Sequence, residues 1–402
     1  MKKSIFLRLI SFSVVFCIIF VFLSCYALAN EIEAENIFNV ADYMATGDGV
    51  SDDGAFIQDA FDACNEAGGG TVYFPARTYN VSKTVFFYSN QNIVFEDGAV
   101  IKRIVNSENP SSTCGVVLCN WFDTADTSAE TSAISCSNVT ISGGIFDGGG
   151  ILPEEDPRNV AMVNTCHAEN VTISNCTFIN NYNAHCIEIN SSDNVTVDNC
   201  KFNDYLGNSD NIRYNEMIQI DKCLNAALGS FFDDNSYRSI RGYNNETFVD
   251  YETPDSRGCS NIIISNCEFV SNEYCSAIGN HHQSSYPGIN NMIFITNNIF
   301  SGGTSNRGYI VFDAYTSGIE IYGNTFYGGE YGVTVNAENA DCNVYDNEFY
   351  DCKVVSKGDV NAYDNHVEGE LEIEDGPVSF LDALRNFFNM FINFFKMLFG
   401  MQ

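Results

Sequence analysis

The sequence predicts an all-β chain wound as a parallel β-helix, and three regularities predict it. The first is a repeat. NVTISNCTF at Asn170 recurs as NVTISGGIF at Asn138, NVTVDNCKF at Asn194 and NIIISNCEF at Asn261, then more loosely as MIFITNNIF, GIEIYGNTF and CNVYDNEF. Aligned on their last aromatic, the copies end at Phe146, Phe178, Phe202, Phe269, Phe300, Phe326 and Phe349, in steps of 32, 24, 67, 31, 26 and 23 residues. A unit that short cannot bury its apolar side without a neighbour stacked on it. The second regularity is period-two alternation within each copy (Val171 and Ile173 one way, Thr172 and Ser174 the other), which marks a strand rather than a helix. A further strand precedes the copies, in HCIEIN at His185, EMIQID at Glu216, SAIGNHH at Ser276, YIVFD at Tyr309 and GVTVN at Gly332. The third is a corner register that reads Cys176, Cys200, Cys267, Asn298, Asn324, Asn347 and Asn365. Stacked strands lie about 4.8 Å apart, so Cys packs on Cys there and the Asn amides can bond in a ladder. A leucine-rich repeat would need leucine at fixed positions, and this chain has none there.

In chain order, residues 1–29 read as an export signal. Lys2, Lys3 and Arg8 lead an apolar run through Leu23, and Ala27-Leu28-Ala29 is a small-residue cleavage site. Lipidation at Cys25 in FLSC is the rival reading. Residues 30–104 form an N-terminal cap and the first coils. Phe56, Ile57, Ala60, Phe61 and Cys64 recur at helical spacing, with Ser51, Asp52 or Asp53 as N-cap and Gly68 to Gly70 as the stop, a capping helix over the open end of the solenoid. The Asp residues of GDGVSDD suit a turn and helix cap; a calcium loop would need a bidentate Glu that does not follow. Residues 105–376 are the β-helix, with an insertion at about 203–258. Residues 377–402 form a C-terminal amphipathic helix with Asp382, Arg385, Asn386, Asn389, Asn393 and Lys396 as a narrow polar stripe. Its stretch 379–399 suits three roles: a cap on the last coil, a membrane-surface contact, or a contact with another protein chain.

At 402 residues the chain is long for one globular core, a limit that a solenoid escapes by extending along an axis. The net charge is −33, and loss of the leader, which holds three basic and no acidic residues, makes it three units more negative. Such a chain repels nucleic acid and acidic lipid. An even number of cysteines after the leader permits disulfides, but several occupy the buried corner register, so mostly free, stacked thiols are expected.

The stretch from Gly47 carries a resemblance. GDGVSDD, the Ile57-Gln58 helix, Gly68-Gly69-Gly70-Thr71-Val72-Tyr73-Phe74-Pro75 and Tyr79 resemble the opening signature of the pectate-lyase-like superfamily, with Arg77 where that signature usually has Gly. The resemblance implies a single-stranded right-handed parallel β-helix acting on polysaccharide, and the export signal implies a protein that is secreted or at the cell surface. It does not choose among hydrolase, lyase and epimerase.

Strand geometry nominates the site. With Ile187 and Ile189 inward, Cys186, Glu188 and Asn190 point out, followed on later coils by Met217, Gln219 and Asp221, by Ile278 and Asn280, by Val311 and Asp313, and by Thr334 and Asn336. One column then reads Asn190, Asp221, Asn280, Asp313, Asn336. Glu188 and Asp221 stand about 8 Å apart, within the spacing of about 6.5–9.5 Å that admits a water in inverting glycoside hydrolysis. The expected catalytic groups are therefore Glu188, Asp221, Asp313, His281 and His282. Expected sugar contacts are His185, Asn190, Glu216, Gln219, Arg213, Arg238, Arg241 and Tyr243, with Tyr205, Tyr214, Tyr237 and Tyr251 also offered for ring stacking and Arg257 as a further cation. The Asn-Thr-Asp, Asp-Asp and Arg-x-Lys patterns of polygalacturonases are missing at corresponding positions. Hydrolysis calls for no cofactor. Elimination or epimerisation would use a base such as His281 or His282 and a cation, either Arg213, Arg241 or Ca2+ held by acids. A non-catalytic adhesin or glycan-binding protein is the competing class.

Overall fold

Each copy of the repeat folds as two strands meeting at a corner. In Ala168–Ser174 the Val171 and Ile173 side chains are buried and those of Thr172 and Ser174 half-buried, as the alternation requires. Asn175 then turns the chain at φ 57°, as do Asn199 and Asn266 at 51° and 55°, in the left-handed region that Asn tolerates better than most L-residues. The second strand, Thr177–Ile179 in this copy, carries the buried Phe178. The computed structural model describes residues 36–107, 113–120, 134–151, 160–182, 184–207, 215–221, 257–280, 290–304, 307–313, 316–336, 340–352, 354–358 and 360–368. Over these residues the coils build three parallel sheets of 11, 11 and 9 strands, a right-handed parallel β-helix.

Two ladders run along its axis. The terminal aromatics pair in register from Phe146 to Phe349, and their rings stack at centroid distances of 4.5–5.1 Å. Each stacked pair contributes about 0.5–1.5 kcal/mol beyond burial. Phe202 lies directly on Phe269, so the 67-residue step advances the helix by one rung. At the corner, the Cys200 N–H donates to Cys267 Sγ (3.4 Å) and the Cys267 N–H to Asn298 Oδ1 (2.8 Å). The N–H groups of Asn298, Asn324 and Asn347 donate to the Oδ1 of Asn324, Asn347 and Asn365 at 2.9–3.1 Å. Twelve described cysteines are free and buried, and Cys166 is disulfide-bonded.

The N-terminal helix, α1 (Gly54–Glu66), buries Ile57, Ala60, Phe61 and Cys64 against the first coils. Asp53 occupies its N-cap position without capping it, because the carboxylate is taken by Thr46 and Gly47. Asp52 Oδ1 instead accepts from the Gly54 N–H (3.1 Å). Residues 1–29, expected to be an export signal, and 377–402, expected to be an amphipathic helix, lie outside the described residues.

The third sheet departs from strict alternation. Its strands include Val160–Cys166, Ala184–Asn190, Glu216–Asp221, Ser276–Gly279, Ile310–Phe312 and Tyr331–Val335. Cys186 and Met217, expected to point outward, join Ile187 and Ile218 in the apolar core, as does Ile278. Two successive residues therefore face inward at the strand entry, which brings His185 and Glu188, three residues apart, onto the same outer face.

Candidate active site on the third sheet

Register places the expected acids on one wall. Glu188 stands beside Gln219 and Asn164, and Asn190 beside Asp221. Val311 pairs with Thr334 and Phe312 with Val335, which sets Asp313 level with Asn336. Asn280 does not belong to this column. Gln219 pairs with Gly279 and Gly279 with Val311, so Asn280 falls level with Ile220 and Phe312. There its Oδ1 accepts from the Asp313 N–H (2.8 Å) and its Nδ2 donates to Thr316 Oγ1 (2.6 Å).

The wall is a connected polar network. Asn164 Nδ2 donates to Glu188 Oε2 (2.6 Å). His185 Nδ1 lies 2.7 Å from the Glu216 carbonyl oxygen, a pure acceptor, so Nδ1 carries the proton of that bond. Its Nε2 then stands 3.6 Å from Glu188 Oε1, beyond hydrogen-bond reach. Arg307 joins the two ends of the wall, donating from Nη1 to Glu216 Oε1 (3.2 Å) and from Nη2 to Asp313 Oδ2 (2.7 Å). Asp313 Oδ1 also accepts from Asn336 Nδ2 (2.9 Å), and Asp221 Oδ2 from Gln219 Nε2 (3.0 Å). Arg307 spans the intervening rung because the outward residues there are Ser276 and Gly279. A Cβ on Gly279 would stand 2.4 Å from the Val311 carbonyl oxygen and 3.1 Å from Glu216 Cγ. Cys119, on the same face, has its thiol pushed well up, first by burial and then by the Glu188 carboxylate.

Exposure rises along the wall. His185, Glu188 and Glu216 are fully buried, Asp221 is 3 % and Asp313 8 % exposed, the Arg307 side chain is 15 % exposed, and Asn336 is open to solvent. A ligand therefore meets the Arg307–Asp313–Asn336 end first. Strand geometry puts Glu188 about 8 Å and Asp313 about 10 Å from Asp221 between backbones.

Arg307 is the principal residue that sequence reasoning missed. The available signal was an arginine just ahead of a coil strand in a chain with only 19 Lys and Arg. His281, His282, Arg213, Arg238, Arg241, Tyr243, Tyr214, Tyr237 and Tyr251 lie outside the described residues. Tyr205, expected to stack on sugar, is buried in the core instead. Arg257, expected to serve the binding face, pairs with Asp193 on the first sheet. Among the described residues no cluster of three or more His, Cys, Asp or Glu side chains is arranged to hold a metal.

The fold is that of a right-handed parallel β-helix, and its first coils are similar to those of pectate-lyase-like proteins. Residues 37–111 match the family model described as rhamnogalacturonase A/epimerase, pectate lyase-like. The chain is 32% identical over 268 residues to plasmin and fibronectin-binding protein A of Streptococcus pneumoniae, covering 62% of this chain and 34% of that protein. A crystal structure of that surface adhesin superposes with a TM-score of 0.60 at 23% identity, over 86% of this chain and 80% of the other. Mannuronan C5-epimerase AlgE2 of Azotobacter vinelandii is 38% identical over 135 residues, which is 30% of this chain and 13% of the enzyme. The family 28 exopolygalacturonase of Yersinia enterocolitica shares the fold, with a TM-score of 0.56 at 16% identity over 85% of this chain and 66% of the other. The chain thus spans about a third of the first curated relative and a much smaller part of the second.

Proposed function

We propose that this chain is an exported carbohydrate-active protein that hydrolyses a glycosidic bond at the third sheet. The observation that carries the reading is the convergence of Glu188, Asp221 and Asp313, with His185 and Arg307, on one outer face. Glu188, oriented by Asn164 beside His185, is the general acid that protonates the leaving oxygen. Asp221, at a spacing that admits a water, is the general base. Asp313, fixed by Arg307 and Asn336, orients the sugar at the more open end. The leader-like run at 1–29 supports export. Asp221→Asn and Glu188→Gln are each expected to abolish release of reducing ends from a polysaccharide while leaving the melting transition cooperative. Full activity in either variant sinks the assignment. A product with the ultraviolet absorbance of an unsaturated uronate would move the protein to the lyases. Conversion without chain cleavage would move it to the epimerases.

A second reading has its own support. The match to a plasmin- and fibronectin-binding protein covers 62% of this chain, and the acids are nearly inaccessible in this structure, as suits a wall that is scaffold to a binding surface. Ligand binding with no chemical change across a polysaccharide panel, undisturbed by Asp221→Asn, would decide for an adhesin.

A further inference from the structure

We propose that the outer face of the first sheet, at the C-terminal end of the described coils, is a second carbohydrate-binding surface, which holds a glycan chain apart from the third-sheet wall. It does not depend on the reading above. Four successive strands build it: Asn290–Thr296, Thr316–Tyr322, Cys342–Tyr345 and Val360–Tyr363. Ile295, Ile321 and Val344 lie in the core, so alternation turns their neighbours outward. Register then sets Thr296, Tyr322, Tyr345 and Tyr363 in one column, and Glu320, Asn343 and Asn361 in the column beside it.

The first observation is a repeated pair. On three consecutive rungs a tyrosine stands two residues from a carboxyl or an amide on the same face. The tyrosine rings stack at 5.2 and 5.1 Å between centroids, with planes 12° and 4° apart. Next to them Asn343 Nδ2 donates to Glu320 Oε1 and Asn361 Nδ2 to Asn343 Oδ1, each at 2.9 Å. Each rung thus offers ring carbon and polar atoms together, the two kinds of contact that orient a sugar, with its apolar C–H face and its hydroxyl rim. A surface that repeats every 4.8 Å or so suits a polymer of like units.

The second observation is where the stack stops. One face of the Tyr322 ring meets Tyr345; the other is turned toward the Thr296 rung, where a short side chain stands in place of a fourth ring. Thr296 is 8 % exposed and its Oγ1 has no hydrogen-bond partner, whereas Ser265, one rung earlier in the same column, donates from Oγ to Asp198 Oδ1 (2.7 Å). Buried hydroxyls are nearly always bonded, and a threonine hydroxyl can both donate and accept. A sugar ring seated against Tyr322 answers both features at once: it continues the stack, and one of its hydroxyls bonds Thr296 Oγ1. A hydrocarbon ring from a partner protein would continue the stack and leave the threonine hydroxyl unpaired, which favours the glycan.

The test measures retardation of the whole chain in affinity electrophoresis through polygalacturonate, alginate, xylan and a mixed-linkage β-glucan, with Asp221→Asn as the parent. At least one polymer is expected to retard it. Added to that parent, Tyr322→Ala is expected to weaken binding about tenfold and Thr296→Val about fivefold, while the melting temperature of the Thr296→Val chain holds or rises because an unpaired hydroxyl has gone. Retardation by no polymer, or equal retardation of parent and both variants, overturns the proposal. Capture of a synthetic peptide of residues 379–399 and of no polymer also overturns it, and gives the face to a protein occupant. Release of reducing ends by the chain with Asp221 intact is a separate readout: cleavage without first-sheet binding sinks this proposal and keeps the hydrolase reading, and first-sheet binding without cleavage does the reverse.

Discussion

The asparagine ladder can be tested at Asn324. Its side chain is fully buried and lies within hydrogen-bond distance of five partner atoms, with the two Nδ2 hydrogens shared among three acceptors. Nδ2 donates to the carbonyls of Ile295 (2.8 Å) and Tyr322 (3.1 Å) and to Asn347 Oδ1 (2.9 Å), while Oδ1 accepts from Asn298 N (2.9 Å) and Asn298 Nδ2 (3.0 Å). Asn324→Leu removes all five and leaves at least the Asn298 N–H and the Ile295 carbonyl buried without partners. At about 1–3 kcal/mol for each stranded group, the expected loss is about 4 kcal/mol. Asn324→Cys should cost less, about 1–2 kcal/mol, because a thiol sulfur already accepts a backbone N–H at this register, where Cys200 N lies 3.4 Å from Cys267 Sγ. Urea unfolding followed by far-ultraviolet circular dichroism gives both numbers, provided the slope m is unchanged. A fall in m would mean that the coils near Asn324 unfold separately from the rest. If Leu and Cys cost the same, or if Leu costs less than about 1 kcal/mol, the ladder does not hold the corners in the way its geometry implies.

Two further outcomes are expected. Burial pushes the Glu320 carboxyl from 4.5 up to about 7, with Asp341 adding to the rise against the hydrogen bond from Asn343 and the contact with Tyr345. A raised acid is tolerated in the fold while protonated, so its contribution is complete below its unfolded pKa and is lost as pH climbs through about 7. Glu320→Gln should therefore match the parent near pH 4 and be more stable at pH 8 by about 3 kcal/mol, read from urea midpoints at the two pH values; equal stability at pH 8 would refute it. The triple variant Glu216→Gln, Arg307→Met, Asp313→Asn should keep or raise the melting temperature while lowering polysaccharide binding or turnover, whereas Arg307→Met alone should destabilise by about 3 kcal/mol because Glu216 and Asp313 both lose the guanidinium.

Much of the architecture was legible because a solenoid repeats its instructions. Phe178 says little by itself, but seven aromatics at one register specify a stack, and the Cys176-to-Asn365 column specifies a corner. The repeat also gave the direction of Asp221, Glu188 and Asp313, since alternation is a local property of the backbone. It failed where a rung departs from the average. Cys186 and Ile187 both face inward, which sequence cannot reveal because Cys suits either side. Gly279 carries no side chain to report a direction, so the one-residue displacement of Asn280 went unseen. Arg307 was hidden for a different reason: its partners lie two rungs back at Glu216 and six residues on at Asp313, a reach that depends on small residues at Ser276 and Gly279.

The burial of the acidic wall bears on function more than on stability. Along the sheet that contains Ala168–Ser174 the outer face holds Thr, Ser and Asn that bond to the matching position one rung away, as Thr140 does to Asn92 and Asn194 to Asn170. Such groups are satisfied cheaply by any neighbouring coil. The third sheet instead removes four carboxyls, an imidazole and most of a guanidinium from water, where apolar side chains of the same volume would commonly hold the fold as well or better. The Phe and Asn ladders already supply cohesion on the opposite flank, so the ionic wall is not needed to close the coil. Charged groups kept in a strand face at that expense, each oriented by a second polar residue (Asn164 for Glu188, Gln219 for Asp221, Asn336 for Asp313), form the kind of preorganised set that binding or catalysis requires. The joint replacement of Glu216, Arg307 and Asp313 separates the two accounts: a wall kept for the fold would lose stability when neutralised, and a wall kept for a ligand would lose only the ligand.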